Sequence, residues 1–281
     1  MSTSSGTIEF PMDQTQRRVE VIKANSPGFM LAARKLQKEL RLFRAKNDQE
    51  EKDHINSSDR MMGDFLMDFF IKSFPKDSIV MEDKEAIQGS TGFKWVIDPI
   101  DGSMNFVRGL PMYAISIGLE YREGPVAGVV LVPCLEDIYS AILGEGATKN
   151  GDTIFPSSTT ELSRSIFAPN LPSHRAKQIN EIMSDLTALV TYARSIRRSG
   201  SVVLDLCWIA EGCLDGLWEK SVKHWDLCAT SVILNEAGGK ITDYDGKHYW
   251  NGLPEIVATN SFLHEPILEV LKNARLSIGR N

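Results

Sequence analysis

The stretch that decides the fold covers residues 95–106 and reads Trp-Val-Ile-Asp-Pro-Ile-Asp-Gly-Ser-Met-Asn-Phe. An apolar run predicts a buried strand that ends at Asp98, and Asp101 follows after a proline and an isoleucine. Gly102 and Ser103 then favour a tight turn or the start of a helix. Two carboxylates are therefore expected at the end of a strand, beside free backbone N–H groups. Such a combination can bind hard cations and a phosphate side by side.

The composition is that of an ordinary globular protein. The chain has 281 residues, a hydrophobic fraction of 42% and a formal net charge of −6 at pH 7. The acidic excess argues against a general nucleic-acid binder, which usually carries a basic stripe. Four cysteines without a Cys-x-x-Cys pair predict reduced core thiols in a cytoplasmic protein. Neither a secretory signal nor an apolar run of membrane-spanning length is present, so we expect no membrane association.

Residues 1–157 are predicted to form an N-terminal α+β half that carries the main metal-binding motifs. Helical spacing of apolar residues predicts a helix over residues 14–45, interrupted or restarted at Pro27, and a second helix over residues 60–74. The charged residues 47–58 between them are interpreted as a loop. After the central stretch, Gly-Pro and Asn-Gly signals predict an antiparallel meander. Its strands are expected at residues 113–121, 126–132 and 137–143.

Residues 158–281 are predicted to form a C-terminal α/β half, in which strands and helices alternate. Its strands are expected at residues 165–168, 189–193, 214–219, 240–243 and 256–259. Its helices are expected at residues 174–186, 199–211, 225–237 and 262–274. The class is therefore α+β, with helices layered between sheets.

Several acidic residues stand where an apolar element meets a loop or a helix start. They are Asp59, Glu82, Asp98, Asp101 and Asp226. Taken singly, each has an ordinary explanation: an Asp-Pro pair is usually a turn, and Asp226 suits a helix cap. Taken together, converging carboxylates repel one another unless cations lie between them, and oxygen ligands select Mg²⁺, Mn²⁺ or Ca²⁺. This set is typical of a multi-metal phosphoryl-transfer site.

Two segments resemble the signatures of a known family. Residues 98–106 resemble the first signature of the inositol monophosphatase family, and residues 225–239 resemble the second. The order and spacing of elements agree from about residue 17 to the end. The resemblance implies a layered α-β-α-β-α sandwich of the sugar-phosphatase type. It also implies a lithium-sensitive, Mg²⁺-dependent phosphatase with two or three ions per site, which acts as a homodimer on a small phosphate ester.

Residue by residue, the resemblance also implies roles in the site. The metal ligands would be Glu82, Asp98, the Ile100 carbonyl, Asp101 and Asp226. The catalytic residues would be Glu82, Ser103 and Asp98. The Ser103 hydroxyl would orient the attacking water. The substrate contacts would be Gly102, Ser103, Gly200, Ser201, Glu219 and Asp226.

The sequence departs from the family pattern at Asp83 and Gly63, and it leaves the substrate open. Asp83 stands where glutamate is common, and Gly63 replaces another glutamate downstream of Asp59, so a third metal near Asp59 stays an open question. Inositol-1-phosphate is the first-choice substrate. Fructose-1,6-bisphosphate, histidinol phosphate and NADP are the alternatives, as is a non-catalytic regulatory role. The histidines show no metal-ligand spacing, and His224 is the exception to watch because it precedes Trp225-Asp226.

Overall fold

The computed structural model describes residues 9–40, 46–122, 124–169, 179–220, 222–247 and 255–278. The helices are α1 (Met12–Leu40), α2 (Asp48–Ser73), α3 (Ser103–Arg108), α4 (Ile179–Tyr192), α5 (Val202–Ala210), α6 (His224–Ala237) and α7 (His264–Ile278). The first strands are β1 (Ser78–Met81), β2 (Phe93–Asp101), β3 (Ala114–Tyr121), β4 (Gly124–Val132), β5 (Asp137–Ile142), β6 (Ala147–Lys149) and β7 (Asp152–Thr153). The later strands are β8 (Ile166–Pro169), β9 (Ser195–Ile196), β10 (Gly216–Glu219), β11 (Lys240–Thr242) and β12 (Ile256–Thr259).

The strands pair into two sheets. The larger sheet runs in sequence order from β1 to β7. Only its first pair, β1 with β2, is parallel, and the following pairs are antiparallel. The smaller sheet has the order β11-β12-β10-β8-β9. The larger sheet ends before residue 157 and the smaller begins after it, while the division into two halves at that position stays a prediction.

The helices and sheets stack in five layers. α1 and α2 pack on one face of the larger sheet, and α6 packs on the other face, against β2 to β5. α5 lies beside α6 and contacts both sheets, while α7 packs against β12 and α4. The α-β-α-β-α sandwich is therefore confirmed. No helix within the described ranges combines the length and the apolar character that a bilayer crossing requires.

The N-terminal part of α2 replaces a predicted loop. The loop predicted over residues 47–58 is wrong, because α2 begins at Asp48. Asn47 caps the helix, since its Oδ1 accepts the N–H of Glu50 at 2.9 Å. Acidic side chains in the first turn also favour the positive end of the helix dipole. The polar residues at the start of α2 thus form a helix although they lack the apolar periodicity from which a helix is predicted. α1, by contrast, continues through Pro27 without interruption.

The strand predicted over residues 189–193 is also wrong, because residues 189–192 form the last turn of α4. Ile182, Asp185 and Leu189 are its buried residues, at spacings that place them on one helical face. Leu189 packs in the core beneath the smaller sheet, so tertiary contact outweighs the local β-branched composition. The start of the predicted helix at residues 174–178 lies outside the described residues.

The four cysteines are all free, as expected, but they do not all lie in the core. Cys207 and Cys228 are buried, and Cys134 is partly buried. Cys213 is exposed, which corrects the expectation of a core position. It follows the end of α5, where its N–H donates to the Trp208 carbonyl at 2.8 Å.

Glycines make the surface on which α6 lies. Gly118 and Gly128 are paired across β3 and β4. A Cβ at Gly118 would overlap the Cys228 sulfur, and a Cβ at Gly128 would lie 2.7 Å from the Cα of Ala229. Real Cβ atoms do not approach so closely, so the helix reaches this part of the sheet only because both side chains are absent.

We expect Gly128→Ala to destabilise the protein by about 1–3 kcal/mol, because the added methyl group forces α6 away from the sheet. Gly28→Ala is the matched control. Gly28 lies inside α1 with no atom within 4 Å of the added Cβ, so the same substitution should stabilise the protein by about 0.5–1 kcal/mol. Urea unfolding of both variants gives the comparison. Equal effects of the two substitutions would contradict this account of the α6 contact.

Candidate functional site

A bulge at the end of β2 aims two carboxylates in one direction. The pairing of β2 with β3 shifts between Asp98, which faces Ser116, and Asp101, which faces Ala114. One extra residue on β2 is thereby accommodated, so Asp98 and Asp101 no longer alternate across the strand. The turn is held by Asp98, whose Oδ1 accepts the N–H of Ile100 at 2.9 Å.

α6 brings a third carboxylate to the same point. Asp226 lies in its first turn, and its Oδ2 accepts the N–H of Lys223 at 2.7 Å. Asp98, Asp101 and Asp226 each offer one oxygen atom, and these atoms lie within 4.8 Å of one another. Asp226 is more than a hundred residues away from Asp98 and Asp101 in the sequence. The three carboxylates nevertheless meet at the boundary between the larger sheet and α6.

β1 supplies the fourth member. Glu82 follows β1, and its N–H donates to the Ile97 carbonyl at 3.1 Å, which extends the parallel pairing with β2 by one residue. The side chains of Asp98 and Trp225 lie beside its carboxyl group, and the charge of Asp101 also reaches it. Glu82, Asp98, Asp101 and Asp226 therefore form one group, which we call the carboxylate cluster.

The electrostatics of the carboxylate cluster are unfavourable without cations. Burial raises the pKa of Asp98 well above its usual value, and the charges of Asp101, Glu82 and Asp226 raise it further. Burial and the charge of Asp101 do the same to Asp226. The pKa of Asp101 rises only to about 6, because hydrogen bonds from Ser201 and Val203 partly offset its burial. Divalent cations would remove the repulsion, and a donor set made of oxygen atoms fits Mg²⁺, Mn²⁺ or Ca²⁺.

Ser103 lies directly beside the cluster. Gly102 precedes it with a φ of 96°, a conformation that favours glycine, and a Cβ there would lie 3.0 Å from the Met112 carbonyl oxygen. The Ser103 hydroxyl donates to the Ile100 carbonyl at 2.9 Å. The side chain of Asp59 lies next to this hydroxyl.

Asp59 reaches the cluster from α2. Burial raises its pKa to about 7, with smaller contributions from the charges of Glu82 and Asp83, while the hydrogen bond with Ser103 lowers it. Its Oδ1 is buried and has no hydrogen-bond partner among the described residues. A buried carboxylate oxygen in this state suits a position beside a bound cation.

α5 links the carboxylate cluster to a cavity. The Ser201 hydroxyl donates to Asp101 and also accepts the N–H of Leu204 at 3.2 Å, which caps α5. Asp101 Oδ2 accepts a second bond, from the N–H of Val203 at 2.9 Å. Gly200 precedes the cap with a φ of 88° and lies against Asn105. The first turn of α5 is thus attached to the end of β2.

The cavity lies between the cluster and the smaller sheet and measures about 170 Å³. Gly200, Ser201, Asp101 and Asp226 line it, as does Glu219 at the end of β10. Glu219 is buried, and its Oε1 accepts the N–H of Lys220 at 2.8 Å. Five of the residues expected to contact metal or substrate therefore border one cavity.

Asp205 also lines the cavity, and the sequence did not single it out. It is buried, and burial raises its pKa to about 7, although hydrogen bonds from Ser199 lower it. Its Oδ1 has no hydrogen-bond partner among the described residues. The signal that could have identified it is a lone acid in the otherwise apolar sequence of α5.

We expect Mg²⁺ to raise the unfolding temperature more at about pH 7.5 than at about pH 5. Without metal, the pKa of Asp101 is higher in the folded than in the unfolded protein, so protonation of Asp101 contributes to the free energy of unfolding. That contribution is present below pH 3.8, the ordinary value, and is lost as the pH rises through about 6. Thermal unfolding with MgCl₂ and with EDTA at both pH values measures the difference. A Mg²⁺ effect that is absent, or equal at both pH values, would contradict cation binding at the cluster.

Comparison with known proteins identifies relatives of this chain in sequence and in fold. The sequence profile of the inositol monophosphatase family matches residues 18–276. A fructose-1,6-bisphosphatase/inositol-1-monophosphatase of Aquifex aeolicus is 33% identical over 80% of this chain and 84% of its own length. The Nus factor SuhB of Haemophilus influenzae is 32% identical over 81% of this chain and 84% of its own length. The solved inositol monophosphatase of Anabaena superposes with a TM-score of 0.79 at 28% identity, over 91% of this chain and 97% of that one. The expectation drawn from the two sequence signatures is thus confirmed, and the chain belongs to the inositol monophosphatase family.

Proposed function

We propose that this protein is a Mg²⁺-dependent phosphatase that hydrolyses a phosphate monoester, with inositol-1-phosphate as the first-choice substrate. The observation that carries the proposal is the meeting of Asp98, Asp101 and Asp226 within 4.8 Å beside a cavity. A cluster of carboxylates with strongly raised pKa values in a cleft is typical of a site built around bound cations. The cavity provides room for the organic part of an ester.

The ligands would be Glu82, Asp98, the Ile100 carbonyl, Asp101 and Asp226, with Asp59 beside the position of a third ion. When bound, Mg²⁺ ions neutralise the charge of the phosphate and lower the pKa of a coordinated water molecule. Oxygen atoms alone make up this set, which agrees with the choice of Mg²⁺ over a thiophilic metal.

The residues beside the cluster would position the reactants. The Ser103 hydroxyl, fixed by the Ile100 carbonyl, orients the attacking water, and Glu82 accepts the proton. The N–H groups of Gly102 and Ser103 hold the phosphate oxygens. Asp226 lies on the leaving-group side and orients the water that protonates the departing alcohol.

The residues that line the cavity would determine which alcohol the phosphate ester can carry. Glu219 presents a buried carboxylate at the end of β10, which suits a hydrogen bond to a hydroxyl group of a polyol. Gly200 and Ser201 border the same space. Inositol-1-phosphate satisfies this arrangement, and fructose-1,6-bisphosphate, histidinol phosphate and NADP are the alternatives among phosphate esters.

We expect Asp101→Asn to lower kcat for phosphate release by at least about 100-fold, since even the outer partners of metal ligands contribute 10–100-fold. The fold should persist, because the asparagine oxygen can still accept the bonds from Ser201 and Val203. Phosphate release from a panel of esters, with Mg²⁺, without it and with added Li⁺, provides the measurement. Asp152→Asn is the control, because Asp152 is exposed on β7. Near-normal turnover by Asp101→Asn with Mg²⁺ would reject the assignment.

We expect Glu219→Gln to raise KM for inositol-1-phosphate by about 10-fold, the cost of a charge-assisted hydrogen bond. KM for an ester without neighbouring hydroxyl groups, such as phenyl phosphate, should change little. Steady-state kinetics of both substrates gives the ratio, with Glu145→Gln as a control at an exposed position. An equal fold-change in KM for both esters would show that Glu219 does not contact the alcohol part of the substrate.

A regulatory role is the second candidate. Relatives that are 30–32% identical are named Nus factor SuhB, and Gly63 and Asp83 depart from the usual family pattern. A protein that binds Mg²⁺ but releases no phosphate from any ester, in either the wild-type or the Asp101→Asn form, would favour this role. The expected homodimer and cytoplasmic location belong to both candidates and stay predictions.

A further inference from the structure

A second group of metal-ligating side chains lies where α6 crosses β3. Glu120, His224 and Cys228 each offer a donor atom, and the three atoms lie within 4.8 Å of one another. The group contains an imidazole and a thiol, unlike the carboxylate cluster, which contains oxygen donors alone. We call it the Glu-His-Cys group.

The backbone fixes the positions of these three side chains. His224 and Cys228 are four residues apart in α6, so they share one helical face. Glu120 lies on β3 two residues after Gly118 and therefore on the same face of the sheet. A Cβ at Gly118 would lie 2.6 Å from the Cβ of Cys228 and would overlap its sulfur. The thiol thus rests directly on the strand that carries Glu120.

The group is enclosed on one side and open on the other. Cys228 is fully buried, and the Glu120 side chain is 2% exposed. The His224 side chain is 41% exposed, so it forms the entrance. Metal sites of this kind need an entry path for the ion, and this group has one.

Glu120 is prepared to act as an anionic ligand through one oxygen. Its Oε1 lies 2.9 Å from His224 Nε2, and its Oε2 forms an ion pair with Lys94 on the neighbouring strand. Burial by itself would raise the pKa of Glu120, but the bonds to His224 and Lys94 outweigh it and lower the pKa. Lys94 would therefore support the carboxylate from its far side while Oε1 faces the ion.

The distances suit a tetrahedral ion after small side-chain movements. Ligands of tetrahedral Zn²⁺ lie about 3.3–3.6 Å from one another, given bond lengths of about 2.0–2.3 Å. The separation of Glu120 and His224 would need to lengthen slightly, and the sulfur lies within 4.8 Å of both. The His224 ring is exposed, so a rotation about its side-chain bonds would lengthen this separation.

We propose that Glu120, His224 and Cys228 form a separate binding site for one thiophilic divalent ion, with Zn²⁺ as the natural occupant and water as the fourth ligand. Binding forms a metal–sulfur bond and releases the thiol proton to solvent. The thiolate and the carboxylate balance the two charges of the ion, and no oxidant or reductant is needed. The ion would join the first turn of α6 to β3 at a point adjacent to Asp226.

The site does not depend on the proposed phosphatase reaction. Its donors differ in kind from those of the carboxylate cluster, so the two can be distinguished with Co²⁺ as a spectroscopic substitute for Zn²⁺. The titration is done in saturating Mg²⁺, which occupies the oxygen ligands. We expect a thiolate-to-cobalt charge-transfer band that saturates at one Co²⁺ per chain and disappears when Zn²⁺ is added.

Two variants and a matched control make the test specific. Cys228→Ser should abolish the charge-transfer band, and His224→Gln, at an exposed position, should weaken Co²⁺ binding at least about 10-fold. Cys213→Ser should keep the band, because that thiol is exposed but stands outside the group. Zn²⁺ should also raise the unfolding temperature of the Mg²⁺-saturated wild type more than that of His224→Gln. The proposal is overturned if the wild type shows no band, or if the band persists in Cys228→Ser.

Discussion

The repulsion among four carboxylates, two of them buried and two half-buried, is the constraint on which the rest of this structure depends. Glu82, Asp98, Asp101 and Asp226 cannot all be ionised in one small volume without compensating cations. Three separate elements, β1, β2 and the first turn of α6, hold them there by packing and backbone hydrogen bonds. The sheet, its bulge and the buried helix therefore stabilise an arrangement that the side chains alone would oppose.

Asp101 connects this constraint with the cavity. Its Oδ2 accepts bonds from the Ser201 hydroxyl and the Val203 N–H, so the end of β2 and the start of α5 share one carboxylate. This side chain thereby helps to fix the position of the cavity wall relative to the carboxylate cluster, together with the packing of α5 against α6. Changes at Ser201 would alter the proposed metal ligand even though the hydroxyl itself need not touch a metal.

Local sequence identified the strand that carries Asp98 and the helix that carries Asp226, because both have an apolar pattern and a sharp polar end, although β2 continues to Asp101. The family signatures then joined them into one site. The bulge at Pro99 and Ile100 was not predictable, because it is defined by pairing with β3. The same limit applies to the Glu-His-Cys group. Glu120 and His224 lie far apart in the chain, and only the crossing of α6 over β3 brings them together.

The late position of α6 in the sequence has a consequence for folding while the chain is being synthesised. The residues of α6 are buried on nearly all sides, and the helix covers a face of the larger sheet whose strands are synthesised well before it. That apolar face, smooth at Gly118 and Gly128, stays uncovered while residues 154–223 are being added. Nascent chains in this state expose hydrophobic surface that favours aggregation. A pause in translation over this interval would prolong the exposure of that face.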